Sequence, residues 1–190
     1  MIGGSIAPIL GETSPLHLAF LPFVHTLEAK WLTKDDVMRV ATAISKGRTD
    51  LSAAAVLGGE PVLHADPRSA LDWISLVRHG IAAGAVDAAV RAVGIGQTDL
   101  AKLLDIPERT LARRKKEGTL NRDESGKLVR LARVVERAAE VFEDGQAALD
   151  WLKSPNAALG SVSPISLLDT DLGADAVLNT LGRIEHGVFA

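Results

Sequence analysis

The chain has 190 residues, of which 47% are hydrophobic, 24% charged and 4% aromatic, the composition of a soluble globular protein. Its formal net charge of −3 shows none of the overall basic excess that marks many nucleic-acid-binding proteins. The absence of cysteine excludes a disulfide framework, a thiolate metal site and a cysteine nucleophile.

Neither a signal peptide nor a membrane span is predicted. Residues 1–15 lack the basic start and long apolar run of a signal peptide. No apolar stretch reaches the ~20 residues that a membrane-spanning helix needs. We therefore expect a cytoplasmic protein without membrane contact.

The first part of the chain is apolar but interrupted by glycine and proline. These breakers predict a loose arm over residues 1–30. Thr33 and Asp36 outline a capping box, and the apolar spacing that follows predicts a helix over about residues 34–46. Another short helix is expected within residues 50–57.

The next helix is predicted to begin at Asp66 and Pro67 and to end at Gly80. Its apolar stripe, which we expect to pack inward, consists of Ala70, Trp73, Ile74 and Val77. From residue 81 onward Ala, Leu, Arg and Glu dominate and alternating β-type runs are absent. The fold class is therefore predicted to be all-α.

The longest helix is predicted over about residues 122–143. Asn121 and Glu124 form an Asn version of the capping box, and apolar residues follow at a period of three to four. After Gly145 a shorter helix carries Ala148, Leu149, Trp151 and Leu152. The prolines and glycine that follow predict a loop.

A last helix is predicted to follow Thr170 or Leu172 and to stop at Gly187. The residues that we expect it to bury are Val177, Leu178, Leu181 and Ile184.

Residues 96–117 have the spacing of a helix-turn-helix, in which the second helix can enter a DNA major groove. The first short helix presents Leu100, Ala101 and Leu104, the connection is Asp105-Ile106-Pro107, and the second helix buries Thr110 and Leu111. The candidate DNA-binding residues are Gln97, Thr98, Arg109, Thr110, Arg113, Arg114 and Lys115. Two alternatives stay open at this point: short helix pairs are common in all-α proteins, and a basic run can simply be a solvated face.

The charges of the chain are strongly segregated. Residues 108–137 carry ten basic and five acidic residues, a net charge of +5. Residues 141–190 carry two basic and seven acidic residues, a net charge of −5. The basic excess thus lies on the second helix of the helix-turn-helix and on the helix after it, where contact with a polyanion would require it.

Two parts of this sequence resemble the Xre/MbcA/ParS-type antitoxins. The similar strings in the DNA-binding half are LLDIPERTLARR, LNRDES over Leu120–Ser125, and Arg130-Leu131-Ala132. Those in the tail are Trp151-Leu152, Pro155-Asn156, Ala158-Leu159-Gly160, Pro164, Leu167-Leu168, Thr170, Gly173, Val177, Leu181 and the run Gly182–Ala190. The resemblance covers about residues 68–190, and the ordered spacing of the tail is its most specific part.

The resemblance implies an antitoxin of a type II toxin–antitoxin pair that forms a homodimer, binds its own operator and neutralises a cognate toxin. The implied toxin has a RES domain, an ADP-ribosyltransferase-like fold that consumes NAD or ADP-ribosylates a target. The C-terminal segment of the antitoxin is expected to occlude the active-site cleft of that toxin. The implied toxin-binding residues are Arg183, Ile184, Glu185, His186, Gly187, Val188, Phe189 and Ala190.

Residue chemistry alone leaves the roles of two of these residues open. Phe189 either anchors in a partner pocket or folds back on its own core. Arg183 either meets acidic groups of a partner or forms an internal salt bridge with Glu185 or Asp175, near the end of the helix where a cation is favourable.

Together these patterns predict three parts: an N-terminal arm with helices of unassigned role over residues 1–65, a helix-turn-helix domain over residues 66–144 and a toxin-binding domain over residues 145–190. We expect no enzymatic activity, cofactor or metal, because neither a catalytic constellation nor a metal-ligand spacing of histidines is present. Two rivals remain: a helix-turn-helix transcriptional regulator whose C-terminal domain only dimerises, and a helical enzyme.

Overall fold

A computed structural model describes residues 51–187, which fold into helices without a β-strand. The α-helices of this part are α1 (Ala53–Val56), α2 (Glu60–Leu63), α3 (Ala70–His79), α4 (Gly84–Val93), α5 (Gln97–Leu103), α6 (Glu108–Glu117), α7 (Arg122–Phe142), α8 (Gly145–Lys153) and α9 (Asp171–Glu185). The all-α prediction is confirmed for these residues. The predicted arm over residues 1–30 and the predicted helix over residues 34–46 lie outside them.

Helix α7 is the longest helix in this range and matches its predicted bounds closely. It begins with the predicted capping box: the Glu124 backbone N–H donates to Asn121 Oδ1 at 2.8 Å, and the Asn121 N–H donates to Glu124 Oε2 at 2.8 Å. Two N–H groups that the helix cannot satisfy internally thus find acceptors.

Helix α3 begins three residues later than the sequence predicted. Ser69 rather than Asp66 is its cap, since Ser69 and Asp72 form a reciprocal capping box. The hydrogen bond from the Ser69 hydroxyl, followed by those from backbone N–H groups, lowers the pKa of Asp72. Asp66 instead pairs with Arg68 outside the helix.

The predicted inward packing of α3 is correct only for part of its stripe. Trp73 and Val77 are half-buried against the core, whereas Ala70 is exposed and Ile74 is 44% exposed. The neighbouring Leu71 is 75% exposed. The helix touches the core along one edge, through its contact with α7, and turns the remaining apolar residues outward.

The core is one continuous cluster with α7 at its centre. Helices α1, α3, α4, α8 and α9 all pack on α7. The apolar residues that α7 buries are Leu128, Val129, Leu131, Ala132, Val134, Val135 and Ala138. Residues on both sides of position 144 therefore share a core.

The C-terminal part packs on α7 through α8 and α9. Helix α8 buries Ala148, Leu149 and Leu152, and the predicted loop after it contains two short 3-10 helices, Ala157–Leu159 and Pro164–Leu167. The hydroxyl of Thr170 caps α9, as predicted, by accepting the Gly173 N–H at 3.1 Å.

Helix α9 buries only part of the residues predicted for it. Val177 and Leu181 are buried, but Ile184 is half-buried and Leu178 is 37% exposed. Leu178 lines an open groove between α7 and α9, because the two helices do not close over each other at that level. None of the helices within residues 51–187 has the length and apolar run needed to cross a bilayer.

A buried hydroxyl joins the start of α7 to the connection between α3 and α4. Ser125 Oγ accepts the backbone N–H of Ile81 at 2.9 Å, and both residues are fully buried. Replacement by alanine leaves this N–H without a partner, so Ser125→Ala is expected to lower the free energy of unfolding by about 1–3 kcal/mol. Denaturant unfolding measures this, and the exposed Ser75→Ala serves as the control. Equal stability of the two variants would contradict the role of this hydrogen bond.

Two glycines of α9 have opposite surroundings. A Cβ on Gly173 would lie 1.9 Å from the carbonyl oxygen of Leu167, whereas a Cβ on Gly182 would meet nothing within 4 Å. Gly173→Ala is therefore expected to lower the free energy of unfolding by more than about 1 kcal/mol, because helix and backbone must separate. Gly182→Ala is expected to raise it by up to about 1 kcal/mol through helix propensity. Thermal or urea unfolding distinguishes the two, and a neutral Gly173→Ala would refute the close approach.

Candidate functional site

The predicted helix-turn-helix is present as α5 and α6. A short connection through Ile106 and Pro107 joins them, with Asp105 in the left-handed region at φ 47°. The side chains that hold the pair to the core are Leu100, Ala101, Leu104, Ile106 and Leu111, all buried. Thr110, predicted as buried, is half-buried.

One face of α6 is turned to solvent and carries cations. Arg109, Ala112, Arg113 and Lys116 have the spacing i, i+3, i+4 and i+7, so they lie on one side of the helix, and all four are exposed. Arg109 and Lys116 make no ion pair within residues 51–187. Arg113 donates to Glu117 Oε1 at 2.9 Å but stays more than half exposed. This face can contact a DNA groove or its phosphates, and the Arg113–Glu117 ion pair is an internal bond that such contact would break.

Arg114 lies on the other side of α6 and is held by two carboxylates. Its Nε lies 2.8 Å from Glu124 Oε2, and its Nη1 donates to Glu117 Oε2 at 2.7 Å. Only 19% of its side chain is exposed. The hydrogen bond to Glu124, followed by that to Glu117, raises the pKa of Arg114, and the Arg114 hydrogen bond lowers the pKa of Glu117.

Lys115 is also bonded within the protein. Its Nζ lies 2.6 Å from Asp87 Oδ1 on α4 and donates to Gln97 Oε1 on α5 at 2.9 Å. Gln97 and Thr98 are both exposed at the start of α5. The structure thus brings the predicted DNA-binding residues together but divides them into outward residues and residues bonded to neighbouring helices.

The C-terminal candidate residues begin in the last turn of α9. Glu185 is held by Arg137 of α7, whose Nη2 donates to it at 2.5 Å, and this hydrogen bond raises the pKa of Arg137. Arg183 is exposed and forms no ion pair within the described range, so the alternative of an internal salt bridge with Glu185 or Asp175 is not realised there.

The end of α9 leads out of the folded core. Ile184 is half-buried, His186 follows the helix as its cap, and Gly187 has a left-handed φ of 65°. Val188, Phe189 and Ala190 lie outside the described residues, so the two alternatives for Phe189 stay as the sequence left them.

A groove of about 700 Å³ runs between α7 and the first half of α9. Its lining contains charges of both signs. Arg133, Arg137 and Glu140 come from α7, and Asp175 and the apolar Leu178 come from α9. Among residues 51–187, no cluster of three or more histidine or carboxylate side chains could hold a metal ion.

Sequence reasoning missed the partners that organise these sites. Asp87, Glu117 and Glu124 bind the cations of α6, and Arg137 binds Glu185. Glu124 carried a sequence signal as the third residue of a capping box, and Glu117 lies at helical i+3 and i+4 spacing from Arg114 and Arg113. The Lys115–Asp87 and Arg137–Glu185 pairs join residues 28 and 48 positions apart, which no local pattern reveals.

Two family profiles match adjacent parts of the chain. Residues 72–133 match the antitoxin Xre-like helix-turn-helix domain, and residues 137–187 match the antitoxin Xre/MbcA/ParS C-terminal toxin-binding domain. These ranges contain the exposed face of α6 and the end of α9, respectively.

Three curated relatives align with about three fifths of this chain. An antitoxin Xre of Photorhabdus laumondii is 35% identical over 118 residues, which are 61% of this chain and 80% of that protein. An antitoxin Xre of Yersinia enterocolitica is 33% identical over 119 residues, 62% of this chain and 80% of its own. A Prs ADP-ribosylating antitoxin of a Sphingobium species is 30% identical over 132 residues, 64% of this chain and 83% of its own. Together with the helix-turn-helix and the C-terminal domain that follows it, these matches show that the chain belongs to the Xre antitoxin family.

Proposed function

We propose that this antitoxin neutralises a RES-type toxin, with ADP-ribosyltransferase-like or NAD-consuming chemistry, by placing its C-terminal segment in the active-site cleft of the toxin. The match of residues 137–187 to a toxin-binding domain carries the proposal. The name of the Sphingobium relative, a Prs ADP-ribosylating antitoxin, supports this toxin class.

The end of α9 suits an inhibitory segment. The Arg137–Glu185 bond fixes the last turn of the helix to α7, so the residues that follow start from a defined position. Arg183 offers an exposed cation whose charge is not already neutralised within the described residues. Inhibition of this kind needs binding alone, and we propose that the chain has no enzymatic activity of its own.

We further propose that the protein acts in the cytoplasm, binds its own operator through α6 and represses its operon. Arg109, Arg113 and Lys116 form an exposed cationic face on the second helix of the helix-turn-helix, the element that enters a major groove in this motif. Arginine can bond bidentately to guanine, and lysine neutralises phosphate.

A homodimer is part of this proposal. Operator half-sites mirror the two-fold symmetry of dimeric helix-turn-helix proteins. The exposed apolar side chains of Leu71 and Ile74 on α3 offer surface that association would bury.

Deletion of residues 186–190 tests the inhibitory segment while leaving α9 and the Arg137–Glu185 bond in place. We expect the truncated protein to fold with unchanged thermal stability and to lose neutralisation when it is co-expressed with its cognate toxin. Arg183→Ala is expected to weaken neutralisation in the same assay. Asn179→Ala, an exposed change on the same helix, is the control. Full protection by the truncated protein would reject occlusion by this segment, whereas failure of the full chain itself to neutralise the toxin would favour a transcriptional regulator with a dimerising tail.

Loss of single cations tests the DNA-binding face. Arg109→Gln and Arg113→Gln should each weaken binding to the upstream DNA of the operon, and each should reduce the slope of log K against log salt by about 0.9 for a lost phosphate contact. Binding is measured by fluorescence anisotropy over a salt series, with Arg68→Gln as the control at an exposed cation outside α6. If both α6 variants bind like the parent protein, α6 is not the reading helix.

A further inference from the structure

We propose that Arg114 and Glu124 form a clip that sets the orientation of α6 for operator recognition, and that Arg114 is a positioning residue rather than a DNA contact. This inference rests on the proposed DNA binding by α6 and assigns different roles to two adjacent cations, Arg113 and Arg114.

The hydrophobic attachment of α6 is narrow. Leu111 is the one side chain of this helix that is buried, and the other apolar residue, Ala112, is exposed. A single buried side chain fixes the position of a helix better than it fixes the rotation of the helix about its own axis. With a diameter of ~10–12 Å including side chains, a rotation of about 10° moves a surface atom by about 1 Å. Hydrogen bonds to groove edges tolerate little displacement of this kind.

Polar bonds on both sides of Leu111 supply the missing constraint. Arg114 and Lys115 follow Leu111 by three and four residues, so they flank it on the inner side of the helix. Lys115 reaches Asp87 of α4, and Arg114 reaches Glu124 of α7. The outer cations, Arg109 and Arg113, lie on the opposite side.

Glu124 is suited to be the fixed half of the clip. It is 4% exposed, and its carboxylate accepts both the Asn121 N–H at the start of α7 and the Nε–H of Arg114. It therefore couples the cap of α7 to α6. The planar guanidinium of Arg114 bonds Glu124 and Glu117 with different nitrogens at once, a geometry that a lysine ammonium cannot reproduce at a fixed angle.

Glu124→Gln breaks the clip selectively. Glutamine serves as well as glutamate in a capping box, so the start of α7 is kept while the charge that holds Arg114 is removed. Arg114→Lys is the second variant, because it keeps the charge and loses the two-pronged geometry. Asp66→Asn is the matched control, since it removes an exposed carboxylate that pairs with Arg68 and not with a residue of α6.

The measurement is the affinity for the upstream operon DNA and for an unrelated duplex of equal length, each over a salt series. We expect Glu124→Gln and Arg114→Lys to lose about tenfold or more in operator affinity, similar to the effect of a mismatched base pair. Affinity for the unrelated duplex and the salt slope should not fall, since no phosphate contact is removed. Asp66→Asn should bind both duplexes like the parent protein.

A DNA-contacting Arg114 makes the opposite prediction. Release of Arg114 in Glu124→Gln would then preserve or increase operator affinity. Arg114→Lys would keep its phosphate contact and so its operator affinity. Either result overturns the clip. Loss of affinity for both duplexes with a smaller salt slope in Arg114→Lys overturns it as well. If the parent protein itself does not distinguish operator from unrelated DNA, the proposed DNA binding fails, and the clip fails with it.

Discussion

Helix α7 buries an apolar stripe along most of its length, and helices from both halves of the described chain pack on it. Burial of a Leu or Val side chain is worth about 1.5–3 kcal/mol, whereas an exposed ion pair contributes ~0–1 kcal/mol. Packing on α7 therefore decides where α3, α4, α8 and α9 lie. The ion pairs at the rim add little stability and act mainly on the orientation of what they join.

The charge that α6 presents to solvent depends on which of its cations face outward, and not on the net charge of the segment. The segment 108–137 has a net charge of +5, yet several of its cations are committed to carboxylates of the same chain. Among the cations of α6, Arg114 and Lys115 are bonded to carboxylates of neighbouring helices. The field that a polyanion meets comes from the residues facing outward, above all Arg109, Arg113 and Lys116.

The same long helix also carries the C-terminal candidate site. Arg137 fixes Glu185 at the C-terminal end of α9, and Arg130 pairs with Asp171 at the other end. Gly173 allows the first turn of α9 to approach the backbone of Leu167 closely. The helix is thus attached at both ends, which gives the residues after it a defined point of departure.

The sequence by itself determined the elements whose signals are local. The all-α class, the capping box at Asn121, the bounds of α7 and the helix-turn-helix follow from spacing and capping over a few residues. The resemblance that indicates an antitoxin also lies in an ordered linear pattern. At α3 a local signal misled, because Asp66 and Pro67 resemble a helix start as much as Ser69 and Asp72 do, and only formation of the reciprocal hydrogen bonds decides between them.

The tertiary structure decided which side chains are exposed and free to contact a partner. Helical periodicity placed Ile74 and Leu178 on apolar stripes, but a stripe is buried only where another element covers it, and neither residue is fully covered. Arg113 and Arg114 are neighbours of the same type in the sequence. Only the tertiary fold brings Glu124 within 2.8 Å of Arg114 and leaves Arg113 facing outward. Contacts between distant residues depend on how the helices dock, which local spacing does not encode.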